Sequence, residues 1–460
     1  MKITFIKPNM GMVKDHPYLD MGRMEPFTFA VLKGLTPPEF ETVLYDDRYE
    51  TIDFNAPTDM VAINTEIYTA KRSYEISAQY RKRGIKVILG GPHPSMIPEE
   101  ALANADSVCI GDAESVWPKL LADLKTGKLK KKYTGFPGTS QGFNKSQTSS
   151  PDWSIFKNKK YLRIRLTQLS RGCRYQCEYC ATGHIFSTKY YYRNVDQVID
   201  ELRSDGSGTV FFVDENIVSD KNIAAELFEK LIPMKIHWIS QADISFANDP
   251  NLLSLMVRSG CKGLVVGFES LSRENLLQMN KTPNLEWENY DSLVEKIRNA
   301  GLQLWAAFLL GYNDTPETVQ QALHWALSKK FAFSAFNILM PYPGTVLYNR
   351  LKKENRLLFN GKWWLSDEYR FGMSGFKPRY CSAEELADAC LKARLTHSSI
   401  KQIFFRALDR KTHLKSFENL VTYLMYNPLF RNEMKKKSGM TLGYRGYEKN
   451  QSKKISYLKA

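Results

Sequence analysis

The segment "YLRIRLTQLSRGCRYQCEYC", residues 161–180, runs from an apolar, strand-like stretch straight into three cysteines, Cys173, Cys177 and Cys180, spaced C-x3-C-x2-C. Closed zinc sites and most iron–sulfur clusters take four protein ligands, so a compact trio calls either for a distant fourth ligand or for a coordination position left open. The other four cysteines, Cys109, Cys261, Cys381 and Cys390, stand singly, and none repeats a C-x2-C spacing. Cys109 in "SVCIG" and Cys261 in "RSGCKG" have apolar surroundings that suit buried thiols. An open iron site is the leading expectation. A zinc knuckle completed by His184 or Cys261 is its rival.

Around and beyond the trio the pattern is regular. "YLRIRLTQLS", "GTVFFVDE", "KIHWISQADI", "CKGLVVGFES", "LQLWAAFLLG" and "SAFNILMPYP" read as six strands, separated by helix-length segments such as "NVDQVIDELRSDG" and "NYDSLVEKIRNAG". Strand and helix in alternation predict parallel βα units, and six of them over residues 161–375 predict a partial (β/α)6 barrel. Active groups in such barrels sit at the C-terminal ends of the strands, and the trio follows the first one.

Upstream, residues 1–125 hold five more apolar runs, "KITFIKP", "ETVLYDD", "DMVAINT", "KVILGGP" and "SVCIGDA", with helical patterns between them. This predicts a Rossmann-like, doubly wound parallel sheet. Residues 126–160, poor in apolar periodicity and rich in Gly, Ser, Thr and Lys, read as a linker. The chain is therefore expected to be α/β, with a helical C-terminal region over residues 376–460.

A chain of 460 residues is long enough for two or three domains with substantial cores. "MKITFIKPNMG" reads as an opening strand and not as an export signal, and no run approaches eighteen apolar residues, so neither secretion nor a membrane span is expected. Seven cysteines, three of them clustered, fit a reducing cytoplasm. The net charge of +15 is uneven: residues 391–460 carry sixteen Lys and Arg against four Asp and Glu, or +12 of it. In that tail Ile400, Ile403, Phe404, Ala407 and Leu408 recur at helical spacing among the basic residues. Two uses stand open: a helical cap packed on the barrel, or contact with an anionic membrane surface or an amphiphilic substrate. Nucleic acid is the weakest reading, because no fold signature accompanies the charge.

A C-x3-C-x2-C loop after the first strand of a six-unit barrel resembles the radical S-adenosylmethionine superfamily. The resemblance implies that Cys173, Cys177 and Cys180 hold a [4Fe-4S] cluster whose fourth iron is chelated by S-adenosyl-L-methionine, giving a 5′-deoxyadenosyl radical on reduction. It places Tyr179 at the adenine, Asp214 and Glu215 of "VDEN" near the methionyl amine, and Gly267 and Glu269 of "GFES" near the ribose. It also makes Gly311 of "GYNDTPET" a source of backbone room, and "PYPGT", residues 341–345, follows the sixth strand. An electron donor such as flavodoxin or ferredoxin is implied as partner.

A Rossmann-like domain ahead of such a barrel is similar to the cobalamin-binding class of that superfamily, and the likeness spans roughly residues 1–380. "VILGGPHPS" (87–95) and "VCIGDAESVW" (108–117) carry it. The resemblance assigns Thr65, Gly90, Gly91, Pro92, His93, Gly111 and Glu114 to a corrin-facing edge. The D-x-H-x-x-G motif that donates an axial histidine is absent, since neither "DDRYET" nor "DHPYLD" fits it. The domain is accordingly expected either to bind cobalamin without a histidine ligand or to serve as a scaffold; His93 either approaches the corrin or belongs to the packing of its turn.

The expected function is a cytoplasmic, cobalamin-dependent radical S-adenosylmethionine enzyme, peripheral to the membrane if the tail binds one, that methylates an unactivated carbon. A sister reading keeps the radical chemistry but ends in cyclisation, rearrangement or coupling. The reading from another class is a metal-stabilised nucleic-acid-binding protein.

Overall fold

The computed structural model describes residues 1–135, 150–186, 190–205, 208–285 and 289–444. Two parallel sheets organise it, each of six strands. In the first, the strands order as Glu41–Asp46, Lys2–Lys7, Met60–Asn64, Lys86–Gly90, Ser107–Gly111 and Lys132–Gly135. Ile3, Phe5, Ile6, Val61, Val87 and Leu89 are all buried, as strands covered by helices on both faces require. The order reverses beside Lys2–Lys7, and open sheets of this kind present a ligand crevice at the carboxyl ends of their strands there.

The second sheet runs Arg165–Thr167, Thr209–Phe212, His237–Ala242, Cys261–Glu269, Gln303–Leu310 and Phe333–Ile338, each strand pairing with the next in sequence. Its first and last strands do not pair, so the barrel is open. The six strands coincide with the six apolar runs of the sequence. Trp238, Leu264, Val266, Phe268, Phe308 and Phe336 form its core, with Phe308 and Phe336 stacked at 5.2 Å.

Two boundaries differ from the expectation. The segment expected as a linker adds the strand Lys132–Gly135 to the first sheet, and Ile155 and Phe156 join that sheet's core beside Phe29. Aromatic side chains and a "KYTG" run thus outweigh the polar composition; residues 136–149 lie outside the described part. At the other end the helix Ala383–His397 buries Leu386, Cys390 and Ala393 in the barrel core, so the C-terminal region begins as part of the barrel. It ends by pairing Thr441–Leu442 with Gly11–Val13 of the N-terminal domain.

The basic helices divide the two readings of the tail between their faces. Arg406, fully buried, donates to the carbonyls of Phe331, Ala332 and His397, and Ala407 and Tyr423 pack on Ala332. The inner face is therefore a packed cap. Ile400 and Phe404 are 68% and 67% exposed, Phe417 is 81% exposed, and Phe405, Leu408 and Met425 also face outward. The rest of the basic tail, residues 445–460, lies outside the described part.

Candidate active site

The cysteine loop leaves the C-terminal edge of the second sheet. Its base is closed by a two-stranded ribbon, Ser170–Gly172 against Tyr190–Tyr192, so the trio sits in an enclosed excursion. Asp214 fixes the root of that loop: its buried carboxylate accepts hydrogen bonds from the amides of Leu169 and Ser170 and from the Ser170 hydroxyl. Both oxygens of Asp214, expected near the methionyl amine, thus hold the root of the loop. In its neighbour Glu215, Oε2 is buried without a hydrogen-bond partner, and burial pushes its carboxyl up to about 7.

The three thiols are half-buried. Burial raises Cys173 and pushes Cys177 up to about 11, while Cys180 acts on both through space. Thiols in such surroundings ionise when they bind metal. Among the described residues, no three His, Cys, Asp or Glu side chains form a site for a single metal ion. Cys261 lies at the opposite, N-terminal end of its strand, buried, with Sγ 3.7 Å from the carbonyl of Gly263. His184 instead rests against Gly344.

Glu269 ends the fourth barrel strand in a left-handed conformation, φ 62°, after a break in register between Gly267 and Glu269. A side chain is rarely held there, and such outliers cluster at functional sites. The carboxylate accepts from the Tyr179 hydroxyl and from Lys281 Nζ, both at 2.9 Å. A Cβ at Gly267 would lie 2.4 Å from Glu269 Oε1, so the glycine makes room for that carboxylate. Lys281 escaped the sequence reading because a lone lysine in "MNKTP" carries no signal; Glu269 and Cys177 hold its pKa well up against burial. The space beside Gly311 is taken by Phe376: a Cβ there would meet the Phe376 ring at 2.9 Å.

Above these groups opens a cavity of about 260 Å3, lined by Tyr68, Tyr179, Asn337, Met340, Tyr342 and Tyr369 among others. Tyr68 comes from the N-terminal domain, Tyr342 from the loop after the last strand and Tyr369 from the segment beyond it. Tyr179, which precedes Cys180, lines the cavity, so it adjoins the cysteine loop.

Arg171, two residues before Cys173, clamps the domains together. Its guanidinium bonds Asp112 and, at 2.9 and 3.1 Å, Glu114, both just beyond the strand Ser107–Gly111. Glu114, expected on the corrin-facing edge, is therefore occupied by Arg171. Gly90, Gly91 and Gly111 do line a cleft at that edge, with Asn64, Cys109 and Trp117. Gly91 is also required by the backbone: at φ 103° a Cβ would meet Asn64 Oδ1 at 2.3 Å. Gly90 has only Cys109 Cβ near, at 3.6 Å, and leaves the edge smooth. Thr65 and Pro92 do not line the cleft. His93 is fully buried, its Nε2 3.0 Å from the Tyr74 hydroxyl and 3.3 Å from Glu100, its ring edge-on to Trp364. These contacts suit the packing alternative for His93; its Nδ1 is buried without a hydrogen-bond partner.

Comparison with known proteins agrees with this arrangement. Residues 167–326 match the family model described as the Radical SAM superfamily. The chain is 30% identical over 344 residues to bacteriochlorophyllide d C-8(2)-methyltransferase of Chlorobaculum tepidum, covering 70% of this chain and 75% of that protein. It is 29% identical over 381 residues to the C-12(1)-methyltransferase of the same organism, covering 80% and 81%. Among solved structures, the radical S-adenosylmethionine methyltransferase TsrM from Kitasatospora setae, with cobalamin and [4Fe-4S] cluster bound, superposes with a TM-score of 0.62 at 16% identity, over 84% of this chain and 81% of that one. A trio of thiols on a pinched loop at the mouth of an open six-stranded barrel, behind a parallel-sheet domain and with relatives this close, places the chain in the radical S-adenosylmethionine superfamily.

Proposed function

We propose that the protein is a cobalamin-dependent radical S-adenosylmethionine C-methyltransferase. Two relatives, matched over 81% and 75% of their length, are named as bacteriochlorophyllide d methyltransferases, and TsrM carries cobalamin and a [4Fe-4S] cluster on a similar fold. The observation that carries the reading is the Arg171 clamp, which presses the glycine-lined edge of the first sheet against the cysteine loop. Two cofactors that must act on one carbon need their sites to face each other.

Cys173, Cys177 and Cys180 would hold the cluster, and the cleft at Gly90, Gly91 and Gly111 would face the corrin. When bound, the cluster, S-adenosyl-L-methionine and cobalamin supply one-electron cleavage and a transferable methyl group; the protein orients them. Glu215, with an unpartnered oxygen, would accept from the methionyl ammonium. Glu269, held by Lys281 and Tyr179, would take the ribose hydroxyls. The tyrosine-walled cavity beside Cys180 would exclude water from the reacting carbon.

Among the described residues no helix is long and apolar enough to cross a membrane. The exposed apolar face on residues 400–425, amid basic residues, supports peripheral contact with an anionic membrane by a protein that works in the cytoplasm. A reduced flavodoxin or ferredoxin would serve as electron donor.

The test is anaerobic reconstitution with iron, sulfide and cobalamin, followed by reaction with methyl-deuterated S-adenosylmethionine and bacteriochlorophyllide d. Deuterated methyl groups on carbon, with 5′-deoxyadenosine formed alongside, are expected. Deoxyadenosine without methylated product would move the reading to rearrangement or coupling. Full iron and sulfide occupancy after joint replacement of Cys173, Cys177 and Cys180 by Ala would falsify the cluster assignment.

A further inference from the structure

Among the described residues, one cation lines the cavity beside the cysteine loop. Arg394, in the last turn of the helix Ala383–His397, lines it together with Tyr68 and Tyr369. Nε donates to the carbonyl of Cys390, 3.3 Å away and one turn back, and this is the guanidinium's only hydrogen bond among the described residues. No carboxylate pairs with it there, whereas Arg171, Arg193 and Arg298 each hold at least one and Arg406, which has none, donates to three backbone carbonyls. Near it lie the uncharged Tyr68 and Tyr369 hydroxyls and the Cys390 thiol, and burial lowers its pKa.

An arginine in a helix's last turn is favourable to the helix dipole, which explains a basic residue at this position. It does not explain why the side chain turns into the cavity. An enclosed guanidinium costs free energy unless its donors are paired, and its two terminal nitrogens form a planar fork that matches a carboxylate.

We propose that Arg394 is the anchor for a carboxylate on the methyl-accepting substrate, whose apolar or aromatic body lies against Tyr68, Tyr342 and Tyr369. The substrate class is thus an amphiphilic carboxylic acid. Arg394 sets orientation: a carboxylate fixed here turns one carbon of the substrate toward Tyr179 and the cysteine loop. This deepens the reading above and rests on it for the choice of probe. A second source of the same chemistry is the carboxylate of S-adenosylmethionine, and the experiment separates the two.

Reconstituted full-length protein, wild type, Arg394→Met and Arg394→Lys, is titrated anaerobically with bacteriochlorophyllide d, which bears a free propionate, and with its methyl ester. Hydrogen bonds to a charged partner contribute about 1.5–3 kcal/mol, so wild type should bind the acid roughly 10–150-fold more tightly than the ester. That preference should vanish in Arg394→Met and survive in part in Arg394→Lys, which keeps charge without the fork. Circular dichroism and iron content show whether each variant is folded and loaded, and Arg394→Lys carries the test if Arg394→Met is not. An acid that binds no better than its ester, or does not bind, overturns the proposal. So does a loss of S-adenosylmethionine binding, measured by equilibrium dialysis, with the acid preference intact, since that gives the arginine to the cofactor. The titrations need no turnover, so this proposal can fail while methyl transfer stands, and the reverse.

Discussion

Replacing Lys281 by Met tests whether the site is held by a buried charge pair. Lys281 and Glu269 meet at 2.9 Å with side chains only 14% and 7% exposed, and the Tyr179 hydroxyl is the other donor to the carboxylate. The variant leaves Glu269 enclosed with one neutral donor. Removing one partner of a buried pair costs about 3–5 kcal/mol, against about 0–1 for an exposed pair. For a barrel of about 200 residues, each kcal/mol corresponds to ~2–4 °C in Tm, so the barrel transition should fall by about 6–20 °C. Thermal and urea unfolding of the cluster-free protein, followed by circular dichroism, measures this. The penalty belongs to the orphaned carboxylate, so adding Glu269→Gln to Lys281→Met should recover most of it. A loss below about 1 kcal/mol in the single variant, or a further loss in the double variant, would refute the argument.

Three other outcomes are expected. Electron paramagnetic resonance of the Co(II) form should lack imidazole nitrogen splitting in both wild type and His93→Ala, because His93 is enclosed by Tyr74, Glu100 and Trp364; splitting that disappears in His93→Ala would contradict this. Phe404→Asp with Phe417→Asp should release the protein from anionic liposomes, and wild-type binding should weaken as salt shortens the Debye length from about 10 Å at 0.1 M to about 3 Å at 1 M; equal sedimentation with neutral liposomes would return the face to an ordinary surface. Glu75 is pushed from 4.5 up to about 7 by burial, offset in part by the Tyr444 amide and Arg72. The folded state then binds the extra proton, so this carboxyl's contribution is full below pH 4.5 and is lost as pH rises through 7. Glu75→Gln should flatten that part of the stability profile, and an unchanged slope in urea titrations would contradict the assignment.

Both sheets were legible in the sequence, because strand periodicity is a local property: a run such as "CKGLVVGFE" is apolar on both faces wherever it packs, and it became Cys261–Glu269. The cysteine loop was legible for the same reason, since three thiols in eight residues are close before the chain folds. Composition failed at residues 132–135 and 153–156, where a few aromatic side chains outweigh many polar neighbours once a sheet edge is there to receive them.

What the tertiary structure alone decided is which polar group is spent and which is free. Asp214 and Glu215 are adjacent in "VDEN", yet one accepts three hydrogen bonds from the root of the cysteine loop and the other keeps an unpartnered oxygen. Glu114 and His93 sit in the expected motifs but are taken by Arg171 and by Tyr74 and Glu100. Lys281 and Arg394 carry no motif at all, and matter because folding brings one beside Glu269 and turns the other into a tyrosine-lined cavity. Sequence spacing determines what a segment can become. Partners come from residues tens to hundreds of positions away, and for a buried charge the partner decides everything, because in a low-dielectric interior a charge is either paired or waiting for a ligand.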